Sequence, residues 1–129
     1  MSLIFDTIIL DNSDKTAILD FLNKDKQLYV DLLLLFFNKL SLSIDFKIKI
    51  QKVSIQLTQK KPFAVVGFRK KCNYLIIEFY SDYPLDDNRI IKTNKTNNSK
   101  IIHTINVYKD SDIDDAIINW IIKSYELTF

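Results

Sequence analysis

Polar and apolar residues alternate strictly in two neighbouring stretches of the chain. In "IDFKIKI", Ile44, Phe46, Ile48 and Ile50 alternate with Asp45, Lys47 and Lys49; in "KVSIQLT", Val53, Ile55 and Leu57 alternate with Lys52, Ser54, Gln56 and Thr58. A period of two puts the apolar set on one face of a strand and the polar set on the other. The parity changes between Ile50 and Val53, which predicts a two-residue hairpin at Gln51-Lys52 with both flanking residues on one side, although neither Gly nor Asn stands there to favour it. Two fuller strands follow, "PFAVVGF" and "YLIIEFY", joined by the loop "RKKCN", and "IIHTINVY" makes a fifth.

Elsewhere the spacing is helical. "SDKTAILDFLN" predicts a short helix that Ser13 or Asp14 caps, with Ala17, Ile18, Phe21 and Leu22 as its apolar face. "DKQLYVDLLLLFFNKL" is a second helix whose apolar arc is wider than one stripe, so it is expected to pack on two sides. The closing helix is predicted from about Ile113 to Glu126. It buries Ile113, Ala116, Ile117, Trp120 and Ile121 and keeps Asp115, Asn119, Lys123 and Glu126 as a polar stripe. Residues 83–100, "YPLDDNRIIKTNKTNNSK", read as a turn-rich loop with a mobile tip. This order predicts an α+β fold with two N-terminal helices, an antiparallel sheet of about five strands, and one C-terminal helix packed on the sheet. Residues 1–129 are expected to form a single domain, with 1–12 as an N-terminal extension.

Composition narrows the setting. The chain has 129 residues, 47% hydrophobic and 26% charged, enough for an ordinary globular core. Cys72 is the single cysteine, which excludes an internal disulfide and a Cys-based metal site and fits a reducing cytoplasm. The opening "MSLIFDTIILDN" lacks the basic segment and cleavage site of a secretory signal. The most apolar run, Leu28 to Phe37, is interrupted by Asp31 and falls short of the roughly 20 residues that a bilayer requires. A cytoplasmic protein without a membrane partner is expected.

The net charge of +2 says little, but its distribution says more. Residues 46–100 carry +8, whereas the segments before and after each carry −3. Between Phe46 and Ile77 stand Lys47, Lys49, Lys52, Lys60, Lys61, Arg69, Lys70 and Lys71, with no acidic residue. Lys47, Lys49 and Lys52 fall on the non-core side of their strands. A basic face of this kind suits phosphate backbones or an acidic protein surface. Lysines on edge strands also serve simply to keep sheets from pairing with one another.

Few residues outside that face suggest chemistry. "KDSDIDD" sets Asp110, Asp112, Asp114 and Asp115 close together. A calcium loop counted from Asp110 would need Gly at the sixth position and a carboxylate at the twelfth; Asp115 and Ile121 stand there instead. Helix capping fits better, through Ser111 with Asp114 or Asp112 with Asp115. No metal or cofactor is expected. His103, the one histidine, shares parity with Ile101, Ile105 and Val107, so it belongs at or near the core. Arg89 is placed to pair with Asp86 or Asp87. Cys72 lies beside Arg69, Lys70 and Lys71, cations that favour a thiolate, but nothing marks a base for it.

The order "KVSIQL", "FAVV", "YLIIEF", "DDNRI", "IHTINV" and "DIDDAIINWIIKSYE" resembles a small bacterial domain-of-unknown-function family, some of whose members are labelled "predicted transport protein". The likeness runs over about residues 21–126 and rests on Lys52, Phe63, Ala64, Asp87, Arg89, His103, Asp112, Asp114, Trp120 and Tyr125. The chain departs from the family pattern at Asn88, where members usually have Pro or another residue of different character, and at Ser124, where they usually have Ala. The resemblance implies no activity. Such domains occur alone or attached to larger proteins, including nuclease-like ones, which suits an accessory binding role.

The expected function is therefore a non-catalytic binding module for an anionic partner such as nucleic acid, with Lys47, Lys49, Lys52, Lys70, Lys71, Arg89 and His103 as candidate contacts. A protein-interaction or self-assembly module is the alternative. An enzyme built on His103, Lys52 and Arg89 comes third and requires those side chains to meet in one pocket.

Overall fold

The alternating stretches build an antiparallel sheet. A computed structural model describes residues 27–50, 54–67, 74–96 and 100–127. Its elements are α1 (Gln27–Ser41), β1 (Lys47–Ile50), β2 (Ser54–Thr58), β3 (Pro62–Gly67), β4 (Leu75–Ser81), β5 (Ile90–Lys95), β6 (Ile101–Val107), a 3₁₀ turn (Asp110–Asp112) and α2 (Asp115–Leu127). The expected helix over 13–23 and most of the "RKKCN" loop lie outside the described residues. The fold is α+β, with all strand pairs antiparallel in the order β1-β2-β3-β4-β6-β5.

Three details differ from the sequence-based expectation. There are six strands, because β5 lies inside the stretch read as a loop. All but its first residue are exposed, so it shows no alternation of buried positions, and backbone pairing to β6 holds it. Ile50 pairs with Ile55 rather than Val53, so the connection is longer than the two-residue hairpin expected. This register still puts Ile48, Ile55 and Leu57 on the buried face. Finally, α2 starts at Asp115, two residues later than expected, while Ile113 is buried in the segment before it.

The acidic cluster explains that start. Asp114 is the N-cap: its Oδ1 accepts from Ile117 N–H at 3.1 Å, and its carbonyl accepts from Ile118 N–H at 3.1 Å. Asp112 closes the preceding turn by accepting from Tyr108 N–H at 2.9 Å and Lys109 N–H at 3.2 Å. Asp115, Asn119, Lys123 and Glu126 are all exposed, as the polar stripe requires.

One face of the sheet carries the core. Ile55, Leu57, Val66, Leu75, Ile77, Phe79, Ile105 and Val107 meet α2 residues Ile117, Ile118 and Ile121 there. From α1, Leu32, Leu33, Leu34, Phe36, Phe37 and Leu40 join the same cluster, the broad apolar arc expected of that helix. A run of rings ties the layers together, with centroids 5.7 Å apart for Phe37–Phe46, 6.3 Å for Phe46–Phe63 and 5.3 Å for Phe63–Tyr125. Lys39 Nζ donates to the Ile113 carbonyl at 2.7 Å, fastening the end of α1 to the entry of α2.

Ser124 shows how α2 is seated. The β2–β3 register shifts between Leu57 and Thr58, a bulge that leaves Phe63 without a cross-strand partner in β2 and buries both Phe63 and Ala64. The ladder between β3 and β4 stops at Ala64–Phe79. Just beyond it, the fully buried Ser124 hydroxyl donates to the Phe63 carbonyl at 2.6 Å and accepts from Tyr80 N–H at 2.9 Å. One hydroxyl from the helix thus bridges two strands where they separate. An Ala at this position could make neither bond. Among the described residues no helix is long and apolar enough to cross a membrane.

Candidate functional site

His103 lies inside the core face, 1% exposed, opposite Phe79 on β4 and Thr93 on β5. Its Nε2 is 2.8 Å from Ser81 Oγ and its Nδ1 is 3.2 Å from Thr93 Oγ1. The network assigns the tautomer. Ser81 has a single proton and donates it to the Tyr83 carbonyl. Its oxygen must then accept from His103 Nε2–H, which leaves Nδ1 to accept from the Thr93 hydroxyl.

That assignment decides what the Ser81–His103 pair can do. Ser81 lines an open cleft of about 280 Å³, whose walls include Phe79, Tyr83, Leu85, Trp120 and Lys123. A serine touching a histidine beside a cleft suggests nucleophilic catalysis. Here, however, the histidine nitrogen facing the serine carries the proton, and the serine proton points at a backbone carbonyl. The imidazole has no free lone pair on that side to act as base. The pair is a satisfied buried polar group that fixes the end of β4 against β6.

Burial pushes the His103 imidazole below its ordinary pKa, and a hydrogen bond to the Tyr83 carbonyl partly opposes this. The sign of the consequence follows. As pH falls through about 6.5 the unfolded chain takes up a proton that the folded chain refuses, so stability falls. Denaturation midpoints measured from pH 8 to pH 5.5 are expected to decline, and His103→Gln is expected to flatten that decline, since the chain has no other histidine.

Arg89 stands on the helix side of the sheet, at the entry to β5. Its Nε is 3.1 Å from Asp87 Oδ1, its Nη1 is 2.7 Å from Asp114 Oδ2, and its guanidinium lies 5.0 Å from the Trp120 ring centroid. The Arg89 hydrogen bond holds the Asp87 carboxyl below its usual range, and Asp87 in turn raises Arg89. The expected local pairing therefore forms with Asp87. It extends to the cap of α2, a partner 25 residues away that sequence alone does not indicate. Trp120 stacks on Phe79 at 5.7 Å, and Phe79 meets His103 at 5.5 Å. Two rings thus stand between Arg89 and His103, one residue at the surface and the other buried. Arg89 and His103 therefore do not meet, whereas the reading built on His103, Lys52 and Arg89 requires them to. Lys52, Lys70 and Lys71 lie outside the described residues.

The other face of the sheet is different. Both described helices pack on the core side, and the opposite side carries Lys47, Lys49, Gln56, Val65, Glu78, Thr104 and Lys92. Register places several of these in one line across all six strands: Lys49, Gln56, Val65, Glu78, Thr104, Lys92. Lys47, Lys49, Glu78 and Lys92 are exposed, as expected for Lys47 and Lys49. Lys100 Nζ reaches to 6.0 Å from the ring of Tyr80, which shares this face through its pairing with Ile102. At the other end of β4 and β6, the Tyr74 and Tyr108 rings are 4.9 Å apart. Lys92, Lys100 and these tyrosines were not among the residues singled out from the sequence. Parity in "YLIIEFY" marks Tyr74 and Tyr80 as sharing a face, but only the register shows which residues of β6 join them.

An α+β domain with helices on one face of its sheet, and no described element packed on the other, is the class that these observations define. A family model described as a domain of unknown function (DUF5655) matches residues 26–128, and the chain belongs to that family. No curated protein and no solved structure gives a significant match.

Proposed function

We propose that this domain is a non-catalytic binding module whose open sheet face takes an anionic partner, nucleic acid first. The observation that carries the reading is the composition of that face. Among the described strand residues, Lys47, Lys49 and Lys92 stand on it and Lys100 reaches over it, against the one strand carboxylate of Glu78. The carboxylates of Asp110, Asp112, Asp114 and Asp115 instead gather around the start of α2. Arg89 and His103 are left out of the contact set, since the first is held by two carboxylates and a ring and the second is buried.

Fluorescence anisotropy of the full chain with short labelled oligonucleotides tests this. Binding is expected at low salt, and four phosphate contacts give a log–log salt slope of about −3. No binding to single strand or duplex at low salt would end the proposal. Polyglutamate binding as tightly as the oligonucleotide would shift it to an acidic protein partner.

A further inference from the structure

We infer that the occupant of the open face is a single strand rather than a duplex, with bases stacked on Tyr108 and Tyr80 and phosphates held by the lysines; this rests on the anionic-partner reading above. Width comes first. Lys49 and Lys92 stand on opposite edge strands of the sheet. Five inter-strand steps of about 4.8 Å separate those strands, about 24 Å in all. The major groove of a duplex is only about 12 Å wide and admits a helix or a two-stranded ribbon. A six-stranded face cannot enter it and would meet a duplex only along one line of phosphates. A single strand can lie across the face and use both its charges and its rings.

The rings supply the second argument. Tyr108 is 55% exposed, and its ring lies against Tyr74 at an interplanar angle of 47°. Asn106 Nδ2 donates to the Tyr108 hydroxyl at 3.1 Å, which limits where that ring can go. A large aromatic surface exposed on a sheet and positioned by a neighbour is the feature on which unpaired bases stack. The ground beside it is low. Gly67 lies in the row Ser54, Gly67, Ile76, Asn106, and a Cβ added there would meet nothing closer than 3.8 Å. Asn106 Oδ1 is the one buried side-chain oxygen or nitrogen without a hydrogen-bond partner among the described residues.

At the far end Tyr80 carries Lys100 above its ring, so a stacked base there would place its phosphate near a cation. Glu78, midway along the charged row, repels phosphate and steers the backbone toward the edges.

The test compares a labelled single strand with a duplex of the same length on the wild type, Tyr108→Ala and Tyr108→Phe, with folding of each checked by circular dichroism. The expected result is tighter binding of the single strand. Tyr108→Ala should weaken it by about 5- to 100-fold with the salt slope unchanged, and Tyr108→Phe should retain it. Equal affinity for both forms, with Tyr108→Ala neutral, would overturn the single-strand inference and leave the anionic surface standing. Absence of binding to either form would overturn both.

Discussion

Replacing Lys47, Lys49, Lys92 and Lys100 together by Gln is expected to lower affinity for a single-stranded oligonucleotide by two to three orders of magnitude at about 0.1 M salt. Each phosphate contact on a single strand contributes about 0.7 to the salt slope, so four contacts are worth roughly that much between 1 M and 0.1 M. The variant should also lose most of the slope, which separates lost charge contacts from a lost fold. Its stability should change little, because Lys47, Lys49 and Lys92 are exposed and Lys100 is half-buried on the side of the sheet away from the core. Glu78→Gln is the opposite control and should tighten binding by removing the one acid of the row. A fourfold-neutralised variant that binds as tightly as the wild type would overturn the assignment of the anion site to this face.

Phe79→Ala is expected to cost about 3–5 kcal/mol, the largest single loss among the residues considered. Phe79 is 1% exposed and lies between two other rings, 5.5 Å from His103 and 5.7 Å from Trp120. Its removal empties the space that separates the buried histidine from the tryptophan on which Arg89 rests. At roughly 4 °C per kcal/mol for a domain of this size, the melting temperature should fall by about 10–20 °C. Phe79→Leu refills most of the volume and should lose far less. Urea denaturation gives the free energies directly. A loss below about 1 kcal/mol would mean that His103 and Trp120 close over the gap.

The strands that could be read from the sequence are those whose two faces differ. Ile48, Ile55 and Leu57 are buried and Lys47 and Lys49 are exposed, so period two is written directly into the chain. β5 carries no such pattern because Ile91 to Lys95 are all exposed, and a strand held mainly by its backbone leaves little trace in side-chain polarity. His103 was legible as a core residue from parity alone. Its partners were not, because Ser81 is 22 residues away and owes its position to a register that no local signal specifies. Arg89 posed the reverse problem. Its neighbour Asp87 could be read locally, while Asp114 and Trp120 reach it only through the docking of α2. The charge runs pointed to a face, but Lys92 and Tyr108 joined that face only when β6 was found between β4 and β5.

That last arrangement has a consequence for how the sheet is put together and how it opens. β1 to β4 form a meander in which each strand has its neighbour as soon as the next one follows. β5 does not, since its one partner in the sheet is β6, which comes later in the chain. β5 therefore enters the sheet together with β6 or after it, never before. Release of β5 alone would expose the backbone of β6 and leave the other five strands paired. Amide hydrogens of β5 should accordingly exchange sooner than those along the β4–β6 seam.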